Sequence, residues 1–274
     1  MKLTKKISNG LCSTRNLAYR YQGKIQLKGG SNVALNLFKK SAKKLDDYSL
    51  KHGVGLVAYD DPSSVISEQF NTIRTNIQFS SIDKELHSIL FTSSAPSEGK
   101  STVSNNVAVS WAKQDKRVIL IDADLRRPTI HKTFNVSNKS GLSNFLLGTA
   151  SLEEVIQPTM IENLFVITSG PTAPNPSELL SSKKIQKLFQ ILTTKYDFMI
   201  LDAPPVNSVT DAQILATKVD GVILVVPQKI ADKTGVTHAK KALEIVHANV
   251  LGAVMNRMAK DKMKGYYGGQ YGGY

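Results

Sequence analysis

The chain has 274 residues, 41% of them apolar, and a formal net charge of +13. That length admits one α/β domain with extensions or two small domains, and the apolar share fills a sizeable core, which excludes a wholly disordered chain. One cysteine, Cys12, excludes an internal disulfide and suits a reducing cytoplasm. No apolar run approaches the roughly 18–20 residues of a membrane span, and Leu11–Cys12 opens no apolar signal-peptide core.

The charge is concentrated at the start. Residues 1–52 hold twelve Lys/Arg against two Asp/Glu, whereas the remainder holds 23 against 20. Residues 1–62 mix Lys, Ser, Gly and Asn with little periodicity. They read as a basic, flexible arm with one short helix around Val33–Leu45. Such an arm meets anionic lipid or nucleic acid through charge alone, and no specific nucleic-acid partner is expected. Asp61-Pro62-Ser63-Ser64 then reads as a turn and helix N-cap, followed by Ile66, Phe70, Ile73 and Ile77 at helical spacing. Beyond it, short apolar runs alternate with helical patterns. Strands are predicted over 87–93, 117–122, 163–168, 197–202, 221–226 and 250–255. Helices are predicted over 99–113, 177–194, 209–218 and 233–247. This alternation implies an α/β fold over 63–264, a doubly wound, mostly parallel sheet with helices on both faces. Ligands in such sheets bind beyond the carboxyl ends of the strands. Residues 265–274 contain only Gly, Tyr and one Gln. Nothing there builds a core, so a flexible tail is expected.

The sharpest chemical signal is Ser94-Ala-Pro-Ser-Glu-Gly99-Lys100-Ser101-Thr102, between an apolar strand and a helix. That is the setting of a phosphate-binding P-loop. Backbone N–H groups over Ser97, Glu98, Gly99, Lys100, Ser101 and Thr102 would cradle the phosphates of ATP. Lys100 would pair with the β/γ-phosphates and the Ser101 hydroxyl would ligate Mg²⁺. Ser94 stands where such loops usually begin with glycine.

Val118-Ile-Leu-Ile-Asp122-Ala-Asp124 places two carboxylates at i and i+2 past a buried strand. One can face a metal and the other an incoming nucleophile, and Mg²⁺ takes a few carboxylates plus water and substrate oxygens. Phe198-Met-Ile-Leu-Asp202 has the Walker B form, an apolar strand ending in a carboxylate. Asn256 and Arg257 end the last strand, where an amide would read an adenine ring or simply cap the strand. Pro174-Asn-Pro176-Ser177-Glu178 reads as a proline turn into a capped helix. His52, His87, His131, His238 and His247 show no metal-ligand spacing.

Together these residues resemble the bacterial tyrosine kinases of capsular and exopolysaccharide assembly, over about Ser64 to Tyr274. Lys100 and Ser101 match that family's P-loop, Asp122 and Asp124 its second aspartate motif, and Asp202 its Walker B residue. Tyr266, Tyr267, Tyr271 and Tyr274 match its C-terminal autophosphorylation cluster. The resemblance implies transfer of the ATP γ-phosphoryl group to the chain's own tail tyrosines. Ser101, Asp124 and Asp202 would hold Mg²⁺, and Asp122 would orient or deprotonate the tyrosine hydroxyl. It also implies a membrane-anchored activator, copies of the chain itself that phosphorylate one another's tails, and a tyrosine-protein phosphatase as partners, and a cytoplasmic chain recruited to the inner face of the membrane. The family's Glu-x-x-Arg-x-x-Arg helix, associated with ring-shaped oligomers, is matched by Glu68 and Arg74 but has Asn71 at its middle position. Weak self-association is therefore expected.

Two other classes share these motifs. A partitioning-type (MinD/ParA-like) P-loop ATPase has the same fold and aspartates, but carries an extra lysine at the loop start, where this chain reads Ser94-Ala95-Pro96. A nucleotide-dependent adaptor would bind ATP and dock on its partners with little catalysis.

Overall fold

The computed structural model describes residues 48–81 and 85–258. The helix expected around Val33–Leu45 and the tyrosine tail lie outside those residues. After a helical stretch over residues 48–52 come α1 (Val57–Asp60) and α2 (Val65–Gln78). Ser64 caps α2 by accepting the Ser67 N–H on its side chain, and α2 buries Phe70 and Ile77. Ile66, expected on the same stripe, stays exposed. The chain continues through β1 (Ser88–Ser93), α3 (Lys100–Ala112), β2 (Val118–Asp122), α4 (Ile130–Thr133), α5 (Leu142–Leu147) and α6 (Leu152–Val155). After these come β3 (Ile156–Pro158), β4 (Leu164–Ile167), α7 (Pro176–Ser181), α8 (Lys183–Lys195) and β5 (Phe198–Asp202). The described chain closes with α9 (Asp211–Ala216), β6 (Gly221–Pro227), α10 (Lys233–Ile245) and β7 (Val250–Asn256).

The sheet runs β3-β4-β2-β5-β1-β6-β7. Every neighbouring pair is parallel except β3 with β4. Successive side chains of a strand point to opposite faces. Ile89, Phe91, Leu120 and Ile200 accordingly pack with residues of α2 and α3 on one face. Leu90, Ile119, Ile121 and Leu201 pack with residues of α8, α9 and α10 on the other. The doubly wound sheet read from the sequence is therefore present. The single helix expected over 177–194 is two: Ser182 is extended (φ −63°, ψ 158°) and separates α7 from α8. Among the described residues no helix is long and apolar enough to cross a membrane.

The folded body starts earlier than the expected boundary at residue 63. Leu56 and Ala58 are buried. Asn106 of α3 accepts the Ala58 N–H at 2.9 Å and donates to the Gly55 carbonyl at 2.9 Å. The Val54 N–H donates to Thr133 Oγ1 at 3.0 Å. Gly53 lies at φ +76°, where a Cβ would come within 2.5 Å of the Thr133 backbone nitrogen, so this approach requires glycine. Burying one leucine contributes about 1.5–3 kcal/mol, and each side-chain hydrogen bond about 1 kcal/mol. A chain beginning at residue 63 is thus expected to be about 3–5 kcal/mol less stable than one beginning at residue 48. Urea unfolding of the two checks this; equal midpoints would show that residues 48–62 add nothing.

Candidate functional site

The carboxyl ends of β1, β2 and β5 meet at one edge of the sheet, because Phe91 pairs in register with Asp202 and Asp122 with Asp202 across adjacent strands. The loop from β1 to α3 rises from this edge. Ser97 (φ 63°) and Gly99 (φ 93°) are left-handed, which turns the loop around a concavity at the start of α3. A Cβ on Gly99 would lie 2.0 Å from Asn256 Nδ2. Only glycine fits there, both by dihedral and by contact.

The loop is held from inside. The Glu98 carboxylate is buried and accepts the Ser94 N–H at 2.8 Å, the Ser94 hydroxyl at 2.9 Å and the Ala95 N–H at 3.0 Å. Burial pushes the Glu98 carboxyl up, opposed by these hydrogen bonds and by Arg257. Ser94, the departure from glycine, thus supplies a donor that ties the loop to Glu98. It is held from outside by the end of β7. Asn256 Nδ2 donates to the Glu98 carbonyl at 3.1 Å, and Arg257 Nη2 donates to the Ser97 carbonyl at 2.7 Å. The Asn256 amide, expected to read a ligand ring, is therefore committed to the loop backbone; Arg257 also lines the cavity.

That cavity is bounded by Gly99, Lys100, Ser101 and Thr102 on one side and by Asp124 and Arg126 on another. Ser49, Leu50 and Val54 close a further edge, a contribution the sequence reading missed because it placed them in the arm. Lys100 Nζ sits 2.9 Å from Asp124 Oδ2 and 3.4 Å from Asp202 Oδ1, and 3.3 Å from Ser101 Oγ. Burial disfavours its charge, but Asp124 and Asp202 outweigh burial and raise its affinity for the proton. Burial likewise works against the Asp124 carboxylate, yet Lys100 and the N–H groups of Arg127 and Arg126 hold that group below its usual range. For Asp202 burial prevails: its carboxyl is pushed up, against Lys100 and the Ser101 hydroxyl.

Asp122 is not placed as expected. The i, i+2 spacing with Asp124 predicts a carboxylate free to face a nucleophile. It is fully enclosed, and its Oδ2 accepts the N–H groups of Thr129 at 3.1 Å and Ile130 at 3.0 Å, which fixes the turn into α4. Burial and the Asp202 charge push its carboxyl well above the ordinary range.

The donor set fits a nucleotide and a hard cation. Asp122 Oδ1 and Asp202 Oδ2 are buried oxygens with no hydrogen-bond partner, an arrangement that costs free energy unless a partner arrives. Among the described residues there is no cluster of three or more His, Cys, Asp or Glu arranged for a metal. A cation here would take one hydroxyl, one or two carboxylates and the oxygens of its ligand, which is how Mg²⁺ is commonly held.

Comparison with known proteins places the chain in a family. The AAA domain family matches residues 89–255. The tyrosine-protein kinase YwqD of Bacillus subtilis is 45% identical over 215 residues, covering 78% of this chain and 91% of that one. The chain belongs to the bacterial tyrosine-protein kinase family. The tyrosine-protein kinase CpsD of Streptococcus agalactiae is 37% identical, with 76% of this kinase and 89% of CpsD covered. Among solved structures, the chimerical protein CapA2B2 superposes on this kinase with a TM-score of 0.73 at 40% identity, over 79% of this chain and 100% of that one. The kinase domain of Escherichia coli ETK gives 0.71 at 34% identity, over 75% and 82%. The cell division ATPase MinD of Pyrococcus furiosus gives 0.56 at 24% identity, a likeness of fold alone. These relationships favour the tyrosine-kinase reading over the partitioning-type one.

The kinase's Glu68–Asn71–Arg74 helix face is turned partly inward. Arg74 Nη1 donates to the Ser110 carbonyl at 2.7 Å and to its hydroxyl at 3.1 Å. Asn71 accepts the Ser110 hydroxyl at 2.7 Å and donates to Glu68 at 3.1 Å. In this structure α2 spends these polar groups on α3.

Proposed function

We propose that this kinase transfers the γ-phosphoryl group of ATP to tyrosines of its own tail, Tyr266, Tyr267, Tyr271 and Tyr274. The observation that carries this is the Lys100 ammonium clamped between the buried carboxylates of Asp124 and Asp202 at the foot of a glycine-turned loop. A nucleotide entering the cavity would draw Lys100 onto its β/γ-phosphates. Ser101, Asp124 and Asp202 would then hold Mg²⁺ directly or through water. When bound, Mg²⁺ neutralises charge that develops on the phosphate oxygens.

The tyrosine oxygen forms a bond to the γ-phosphorus. The bond from that phosphorus to the bridging oxygen breaks, and ADP departs with the electron pair. The phenolic proton, with an ordinary pKa near 10, is assigned to Asp122, whose Oδ1 is unpartnered and whose basicity is raised by burial. Reaching it requires the turn over Thr129 and Ile130 to admit the hydroxyl, or a relaying water. Most of the rate is expected from positioning and charge neutralisation.

The resemblance supports a role in capsular or exopolysaccharide biosynthesis. It also supports placement at the inner face of the membrane by a membrane-anchored activator, assembly with further copies of the chain, and reversal by a tyrosine phosphatase. Incubation of the full chain with γ-labelled ATP tests the activity. Label is expected on protein tyrosine; release of free phosphate alone would favour a simple ATPase.

A further inference from the structure

Asp211 is fully buried, yet no expectation from the sequence gave it a task. It is the first residue of α9. Arg126 Nε donates to its Oδ2 at 2.9 Å and Arg126 Nη2 to its Oδ1 at 3.2 Å. Ser177, in the first turn of α7, donates to the same Oδ1 at 2.5 Å and accepts from Arg126 Nη2 at 3.2 Å. A carboxylate taken out of water is strongly unfavourable unless paired and hydrogen-bonded. Here every partner serves to hold one guanidinium. The Arg126 side chain is 40% exposed, and the residue lines the phosphate cavity with Lys100 and Ser101, two positions beyond Asp124. Its Nε and Nη2 are used by the clamp. Nη1 makes none of these bonds, and its two donors are left for a ligand in the cavity. The planar fork of arginine suits this division, one edge fixed and the other offered to a phosphoryl oxygen.

We propose that Arg126 contacts the phosphoryl group in transit from ATP, and that Asp211 and Ser177 position it to do so. The proposal rests on the nucleotide reading of the cavity given above. Arg126 would be a catalytic residue. Asp211 and Ser177 would be positioning residues that act through it, anchoring the turn after β2 to the starts of α7 and α9. The contact would strengthen as charge moves onto the leaving and transferring oxygens, so it would raise kcat more than it tightens ground-state nucleotide binding.

The full chain tests this as Arg126→Ala, Arg126→Lys and Asp211→Asn, with kcat, nucleotide affinity, melting temperature and phosphate release measured together. For Arg126→Ala a loss of about 10²–10³ in kcat is expected, with nucleotide affinity within about threefold. Millimolar guanidinium should restore kcat at least about tenfold in this variant and in neither the native chain nor Lys100→Met, because only Arg126→Ala vacates the fork. Arg126→Lys keeps the charge but not the fork, and should lose about tenfold or more. Asp211→Asn should lose about tenfold without guanidinium rescue, because its arginine is present but less fixed. Should Arg126→Ala not fold, Arg126→Lys and Asp211→Asn carry the same comparison. Unchanged kcat with a lowered melting temperature would reduce the triad to a structural clamp and overturn the proposal. Parallel loss of kcat and nucleotide affinity would overturn it as well. An Arg126-dependent phosphate release without tyrosine label would sink the kinase reading and keep the contact, since the same group would stabilise transfer to water.

Discussion

Replacing Lys100 with methionine is expected to lower tyrosine phosphorylation by about a thousandfold, at the upper end for loss of a preorganised charge donor in a closed site. Lys100 stands at the foot of the loop, 2.9 Å from Asp124. The same substitution leaves Asp124 and Asp202 buried without their counter-charge, which costs about 3–5 kcal/mol at neutral pH. The pH dependence follows from Asp124, whose folded pKa Lys100 helps to depress. A depressed carboxylate contributes stability above its unfolded pKa, near 3.9, and loses it as pH falls through the folded value. The native chain should therefore lead the variant most at neutral pH, and the gap should narrow in acid. Thermal melts at pH 7 and at about pH 2, below the unfolded carboxylate pKa, with transfer assays at pH 7, check both parts. Full transfer activity in the variant would remove Lys100 from the phosphate site.

Asp122→Asn is expected to lose about 10²–10³ in transfer, the range for a positioned proton acceptor, while nucleotide affinity changes only a few-fold. The amide oxygen of asparagine can still accept the Thr129 and Ile130 N–H groups that Asp122 Oδ2 now takes, so the turn into α4 should persist. The melting temperature should hold or rise, because a neutral amide replaces a carboxylate whose charged form burial disfavours. Nucleotide affinity that collapses in step with transfer would make Asp122 a ligand or metal contact. Full transfer would leave it the anchor of the turn and nothing more.

The parts legible in the sequence were those fixed by local period and spacing. Buried strands such as Val118–Asp122 announce themselves as apolar runs ending in a carboxylate, and the Gly99-Lys100-Ser101 turn follows another apolar strand, Ser88–Ser93. What stayed hidden depends on contacts between distant segments. Leu56 and Ala58 sit in a stretch of weak periodicity, and partners such as Asn106, some fifty residues on, show why they are ordered. The antiparallel β3 is three residues long, too short for alternation to show. Asn256 looks like a strand-end polar residue until its amide is seen on the Glu98 carbonyl. Asp211 follows Thr210 in a run that reads as an ordinary helix start; its pairing with Arg126 spans 85 positions and leaves no local mark.

The most direct test is to mix two chains, one carrying Lys100→Met with its tail intact and one active but lacking residues 265–274, with labelled ATP and a cytoplasmic segment of the proposed activator. Ten tail residues span up to about 33 Å when extended, a reach that would serve transfer to a neighbour held close by. Each phosphate adds about −1.5 to −2 charges to a tail that has no acidic residue, and this would drive it from the aspartate-lined site after reaction. Label is predicted on Tyr266, Tyr267, Tyr271 or Tyr274 of the inactive chain, located by mass spectrometry of tail peptides. An inactive chain that stays unlabelled, while the intact active chain labels itself at a rate independent of concentration, would contradict transfer between subunits. A tail that carries no phosphate in any mixture would contradict the kinase reading itself.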